Sequence, residues 1–269
     1  MAHVAITGAS SGIGAALVRE YVRAGHAVTM VARRQELMHS LAKEVGGRTH
    51  LVAADLSDAA RALDWIAPAE AALGPIEVLI NNAGVQYVEP TIEVDAARAR
   101  MLIDLNLVVP LQLIGALLPG MLARKSGTII NVSSTAAYAS VPGMTHYNAS
   151  KAGLAAASES LRGELRKSGV HVMTVYPGPV DTPMGRAGYA AVPASLQVRL
   201  LPEGTPDVLA RRVRVAAERR RNRVIYPRFY HLARWFPTLN RVLLDLFTPP
   251  PYSRLEQERR KAALPEKRA

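Results

Sequence analysis

Seven short apolar runs, most rich in β-branched residues, are each separated from the next by a stretch too long for a hairpin, and this alternation constrains the chain most. The runs are His3–Thr7, Ala27–Val31, His50–Ala53, Glu77–Ile80, Gly127–Val132, Val170–Val175 and Val224–Tyr226. The stretches between them are mostly periodic in the helical sense. Strands alternating with helices predict an α/β fold, a doubly wound parallel sheet of about seven strands with helices on both faces. The length of 269 residues suits one generous domain, and 49% apolar residues allow a sizeable core. One stretch breaks the pattern. From about Pro177 to Pro206 the chain is rich in Pro, Gly and small residues and reads as a long irregular loop of the functional kind.

The first strand runs into Thr7-Gly8-Ala9-Ser10-Ser11-Gly12-Ile13-Gly14 and then a helical run. Gly8 permits a tight turn, Gly12 a close approach of backbone to a pyrophosphate, and Gly14 close helix–strand packing. The helix that follows directs its amides and positive dipole end at phosphate. The second strand ends in Ala32-Arg33-Arg34, where folds selective for NAD usually carry an acid. A guanidinium fork suits a 2′-phosphate, so NADP(H) is the expected cofactor, with Arg33 as its main ligand and Arg34 beside it. The alternative is an exposed basic pair.

The loop TGASSGIG resembles the T-G-x-x-x-G-x-G fingerprint of the short-chain dehydrogenase/reductase family, and further matches follow in order. Asp55-Leu56 is similar to the family's adenine-contacting pair, though Asp55 also reads as a helix cap beside Ser57. Asn81-Asn82-Ala83-Gly84 resembles N-N-A-G, which stabilises the central sheet and passes beside the adenosine ribose. Tyr147-Asn148-Ala149-Ser150-Lys151 matches Y-x-x-x-K, and a spacing of four puts Tyr147 and Lys151 on one helix face. A cation there should draw the phenol, ordinarily near pKa ~10, toward phenolate. Ser134, at a strand end, resembles the serine that polarises the substrate carbonyl, with Ser133 as runner-up. Asn106 matches the helix asparagine of a water-linked proton path; alone, it also reads as a satisfied core amide. Pro177-Gly178-Pro179-Val180-Asp181-Thr182 resembles P-G-x-V-x-T, where backbone near Val180 and the Thr182 hydroxyl hold the carboxamide.

The resemblance covers about residues 3–226 and implies a Rossmann-type catalytic domain at 1–226. Its expected catalytic set is Asn106, Ser134, Tyr147 and Lys151. Its cofactor set is Gly8, Ser10, Ser11, Gly12, Ile13, Gly14, Arg33, Arg34, Asp55, Leu56, Asn82, Ala83, Gly84, Tyr147, Lys151, Pro177, Gly178, Val180 and Thr182. No metal site is expected. The implied activity is NADP(H)-linked hydride transfer to or from a carbonyl or alcohol. Met184, Tyr189, Val192, Leu196, Leu200 and Leu201 would give an apolar, lipid- or steroid-like substrate its pocket. The alternative is a regulatory protein that binds cofactor without turnover, and the complete catalytic set argues against it.

Residues 227–269 depart from the family, because many members end soon after the seventh strand with a glycine-rich stretch that is absent here. A homodimer through the helices holding Asn106 and Tyr147 is expected in place of the usual tetramer. Residues 1–210 are neutral, whereas 211–269 carry all of the net charge of +11. Phe229, Leu232, Ala233 and Phe236, then Leu239, Val242, Leu243, Leu246 and Phe247, fall at helical spacing on either side of Pro237. Two short amphipathic helices with basic edges follow. Packing on the body, covering the site's mouth, meeting a partner subunit and peripheral contact with a membrane all suit them. The residues from about Ser253 are charged and expected to be partly disordered. No nucleic-acid motif accompanies the basic tail, which argues against that partner. With no cysteine, no leader pattern and no run of about eighteen apolar residues, a cytoplasmic location is expected.

Overall fold

The computed structural model describes residues 1–193 and 202–263. Seven parallel strands form one sheet in the order β3-β2-β1-β4-β5-β6-β7. They are β1 (His3–Thr7), β2 (Ala27–Ala32), β3 (Thr49–Ala53), β4 (Val78–Asn81), β5 (Gly127–Val132), β6 (Val170–Pro177) and β7 (Arg223–Tyr226). Each expected run is thus a strand, with ends moved by a residue or two. The helices are α1 (Gly12–Arg23), α2 (Gln35–Val45), α3 (Ile66–Leu73), α4 (Ala96–Ile103), α5 (Val109–Ala123), α6 (Thr145–Glu164), α7 (Pro183–Ala190), α8 (Pro206–Glu218), α9 (His231–Trp235), α10 (Pro237–Phe247) and α11 (Arg254–Ala263).

Two apolar clusters line the two faces of the sheet. Leu17 of α1, Met38 of α2 and Val213 of α8 pack with Ile6 and Met30 on one side. Trp65, Leu113, Leu117 and Met121 pack with Leu79 and Ile129 on the other. Strands buried on both faces explain the near-continuous apolar runs. Sheet order reverses between β1 and β4, so the loops after these strands diverge and leave a crevice at their carboxyl ends, where such sheets bind ligands.

Three stretches refine the expectations. The stretch from Pro177 to Pro206 is not wholly irregular, because Thr182 accepts the Gly185 amide at 3.0 Å and caps α7, with Pro183 in its first turn. Its expected pocket residues Leu196, Leu200 and Leu201 lie outside the described residues. The charged C-terminal stretch, expected to be partly disordered, is helical from Arg254 to Ala263, where Ser253 and Glu256 form a capping box, and its last residues, 264–269, lie outside the described residues. Finally, Ala96–Ala123 is one continuous helical run, long and apolar enough by length and composition to cross a membrane. Arg98, Arg100 and Asp104 at its start hid this in the sequence. Its inner side lies on the sheet, and Leu111 and Leu122 are exposed on its outer side.

Candidate active site

The cradle after β1 is shaped by what glycine lacks. Gly8 and Gly12 have φ of +67° and +55°. A Cβ on Gly14 would collide with the Gly8 carbonyl oxygen. Thr7 holds the next strand's loop in place, its Oγ1 accepting the Asn82 and Ala83 amides at 3.0 Å each. Asn82 returns its side-chain amide to the Thr7 carbonyl at 2.9 Å. Asn81 donates to Asn131 at 2.8 Å, and Asn131 to Ser158 at 2.8 Å, a buried chain from β4 through β5 to α6. Gly84 leaves room for Asn106 Oδ1, which a Cβ would approach to 2.9 Å. The Asn81–Gly84 run therefore braces the crevice.

At the end of β2 the two arginines diverge. Arg34 donates to Ser11 at 2.6 Å and to Ser10 at 3.0 Å, which puts its guanidinium on the glycine loop. Arg33 faces Asp55 at 3.9 Å. Burial opposes the Asp55 charge, yet the Ser57 hydroxyl and amide, with Arg33, hold its carboxyl below the ordinary value. Asp55 caps a turn there. Leu56 is buried in the core beside Trp65.

The polar residues of the other half meet at the ends of β5 and β6. Ser134 and Tyr147 are both buried at this corner. Ser134 donates to the Pro177 carbonyl at 3.4 Å. Ser133 is turned away, its hydroxyl donating to the Lys151 carbonyl at 2.7 Å, which removes the runner-up. Lys151 is 5% exposed and donates from Nζ to the Val132 carbonyl at 2.9 Å. Its Nζ lies 5.8 Å from the centre of the Tyr147 ring. Burial pushes the Lys151 ammonium down to about 8. Burial also raises the Tyr147 phenol, with the Ser134 bond pulling the other way. The Lys151 ammonium is turned to the Val132 carbonyl and does not contact the Tyr147 hydroxyl directly.

Asn106 sits in a π-helical turn, Asp104–Val108, between α4 and α5. Such a turn inserts an extra residue and redirects side chains. Here it turns Asn106 fully inward, where it accepts the Val85 amide at 2.9 Å and donates to the Val85 carbonyl at 2.9 Å and to Ser150 at 3.1 Å. Nothing in the sequence reading foresaw this turn. Beyond β6, Val180 is bridged to Gly204, and Tyr230 packs so closely on Gly178 that a Cβ there would lie 2.8 Å from the ring. A small cleft leads from Tyr147 past Met144, Leu102, Tyr87 and Val94. These lining residues and Tyr230 were missed, since only long-range packing brings them to the site. Among the described residues no group of three His, Asp or Glu is placed to hold a metal ion.

Residues 2–191 match the family described as short chain dehydrogenase. The chain belongs to that family. A short chain dehydrogenase of Pseudocercospora fijiensis is 36% identical over 185 residues, 67% of this chain and 60% of that protein. A fatty acyl-CoA reductase of Mycobacterium tuberculosis is 38% identical over 190 residues, 67% of this chain and 64% of its own length. This chain therefore matches less than two thirds of the length of either relative. The short-chain dehydrogenase of Sphingobium yanoikuyae, solved in complex with NADPH, superposes with a TM-score of 0.75 at 29% identity, covering 100% of this chain and 98% of that one. As a short-chain dehydrogenase the protein is an oxidoreductase, and the full-length likeness extends to the helical C-terminal region.

Proposed function

We propose that this short-chain dehydrogenase is an NADP(H)-dependent oxidoreductase that reduces a ketone or aldehyde on an apolar, lipid- or steroid-like substrate. The observation that carries the reading is the burial of Ser134, Tyr147 and Lys151 together, with Lys151 Nζ 5.8 Å from the centre of the Tyr147 ring. The glycine cradle at Gly8, Gly12 and Gly14, where added side-chain atoms would clash, fits a pyrophosphate, with Ser10, Ser11 and Ile13 alongside. Arg34 and Arg33 suit a 2′-phosphate, Asp55 and Leu56 the adenine end, and Asn82, Ala83 and Gly84 the ribose. Pro177, Gly178, Val180 and Thr182 border the nicotinamide end. The NADPH held by the Sphingobium yanoikuyae relative supports the choice of cofactor. When bound, that cofactor supplies the hydride.

Tyr147 gives its proton to the substrate oxygen. Burial raises the Tyr147 phenol above its ordinary value, so bound substrate and cofactor have to bring it back toward the working pH for efficient proton transfer. Ser134 donates to the same oxygen and orients the carbonyl. Lys151 and Asn106, through Ser150 and Val85, hold the base of α6 and the proton route around Tyr147. The apolar side chains Val94, Leu102 and Met144 in the cleft beside Tyr147, and the fatty acyl-CoA reductase relative, support an apolar substrate. The exposed apolar outer face of α5 supports a homodimer through α5 and α6. A chain without cysteine fits the cytoplasm.

The test is oxidation of NADPH and NADH over ketones, aldehydes, steroids and long-chain 3-oxoacyl compounds. NADPH turnover should fall roughly 100- to 10,000-fold in Tyr147→Phe with cofactor binding retained. Folded protein that binds neither nucleotide would sink the reading.

A further inference from the structure

The first two helices after β7, α9 and α10, are turned the opposite way to ordinary surface helices. In α10, Leu239, Val242, Leu243, Leu246 and Phe247 form one stripe at helical spacing, and every one of them is exposed. The other side faces the body, where Arg241 donates to the Ser140 carbonyl at 2.9 Å and Leu244 is partly covered. All three phenylalanines of the chain, Phe229, Phe236 and Phe247, lie in this segment and are more than half exposed. Trp235 beside them is 76% exposed. Ten of the eighteen large apolar side chains exposed among the described residues fall between Phe229 and Leu255. A contiguous apolar face of this kind marks an interaction surface.

Its charge identifies the partner. The segment 211–269 holds the whole net charge of +11. Of the arginines within 224–253, Arg234 is paired with Glu159 and Arg241 with Asp245, which leaves Arg228 as the cation of this face. Arg228, at the start of the face, has no ion-pair partner among the described residues. A two-fold contact with a second copy would bring like-charged faces together. An anionic lipid surface offers apolar depth and negative charge at once, and an indole at the water boundary suits it.

We infer that the α9–α10 face docks on an anionic lipid bilayer. The anchorage of these helices sets the orientation. Tyr230 is buried against Gly178, Arg234 is paired with Glu159 at 3.1 Å, and Pro251 lies on Gly143. The docking face is thereby fixed at the rim made by Ser140 and Gly143, beside the catalytic Tyr147.

The experiment is flotation of the full chain with vesicles of phosphatidylcholine alone and of phosphatidylcholine with phosphatidylglycerol, a readout that needs no turnover. The protein should float with the anionic vesicles and much less with the neutral ones. Trp235→Ser with Leu246→Gln, both at exposed positions, should weaken partitioning roughly tenfold or more at an unchanged melting temperature. Arg228→Glu should weaken it roughly fivefold or more. Protein that stays in the soluble fraction with both vesicles overturns the inference, as does undiminished flotation of the double variant. A dimer in sedimentation that the double variant dissociates, without flotation, would give the face to a second copy.

Discussion

Thr182 rests on Gly12, so that a Cβ on the glycine would lie 3.2 Å from the threonine methyl. The loop after β6 is thereby closed on the loop after β1. Gly12→Ala should strain a backbone at φ +55° and push Thr182 away. A loss of about 1–3 kcal/mol of stability is expected from the overpacking, with weaker NADPH binding. Thermal melting with and without NADPH checks both.

Arg34 is already seated on the cradle through Ser10 and Ser11, whereas Arg33 shares its charge with Asp55. Arg34→Ala should therefore raise the KM for NADPH more than Arg33→Ala. Loss of a charge-assisted contact of about 1.5–3 kcal/mol corresponds to roughly 10- to 100-fold. The KM for NADH should change little in either variant. An equal or larger effect at Arg33 would refute this ordering.

The neighbouring serines should separate cleanly. Ser134→Ala removes the donor beside Tyr147 and should lower kcat with little change in melting. Ser133→Ala removes a second donor to the Lys151 carbonyl, which keeps its helical bond, and should cost about 0.5–1.5 kcal/mol of stability. Paired kinetics and chemical denaturation distinguish the two outcomes.

Lys151 gives a pH signature. Its ammonium is pushed from near 10.5 down to about 8, so between these values the folded chain binds fewer protons than the unfolded one. Stability due to this group then rises with pH from about 8 toward 10, and the buried charge is a constant burden below 8. Relative to Lys151→Met, the wild type should gain roughly 3 kcal/mol across that window. Urea denaturation of both proteins at pH 7, 8, 9 and 10 measures the difference.

The strands and the Tyr147–Lys151 pair were legible because strand burial and the i, i+4 step are local patterns. The Thr182 cap and the Ser253–Glu256 box were present as local signals too, but glycines and charge density obscured them. The π-turn that presents Asn106 had no such signal, since its extra residue is paid for by bonds to Val85 and Ser150. Likewise, helical periodicity revealed that α10 is amphipathic but not which side would face the body.

Sequence by itself determined the alternation of strands and helices, the glycine cradle and the step of four that puts Tyr147 and Lys151 on one helix face, because each depends on steric and hydrogen-bonding preferences within a few residues. Only the tertiary structure decided that Arg34 sits on the cradle, that Ser133 is spent on the Lys151 carbonyl and that the apolar stripe of α10 points outward. Those outcomes depend on which surfaces meet across tens of residues, and competing long-range contacts, not local preference, set them.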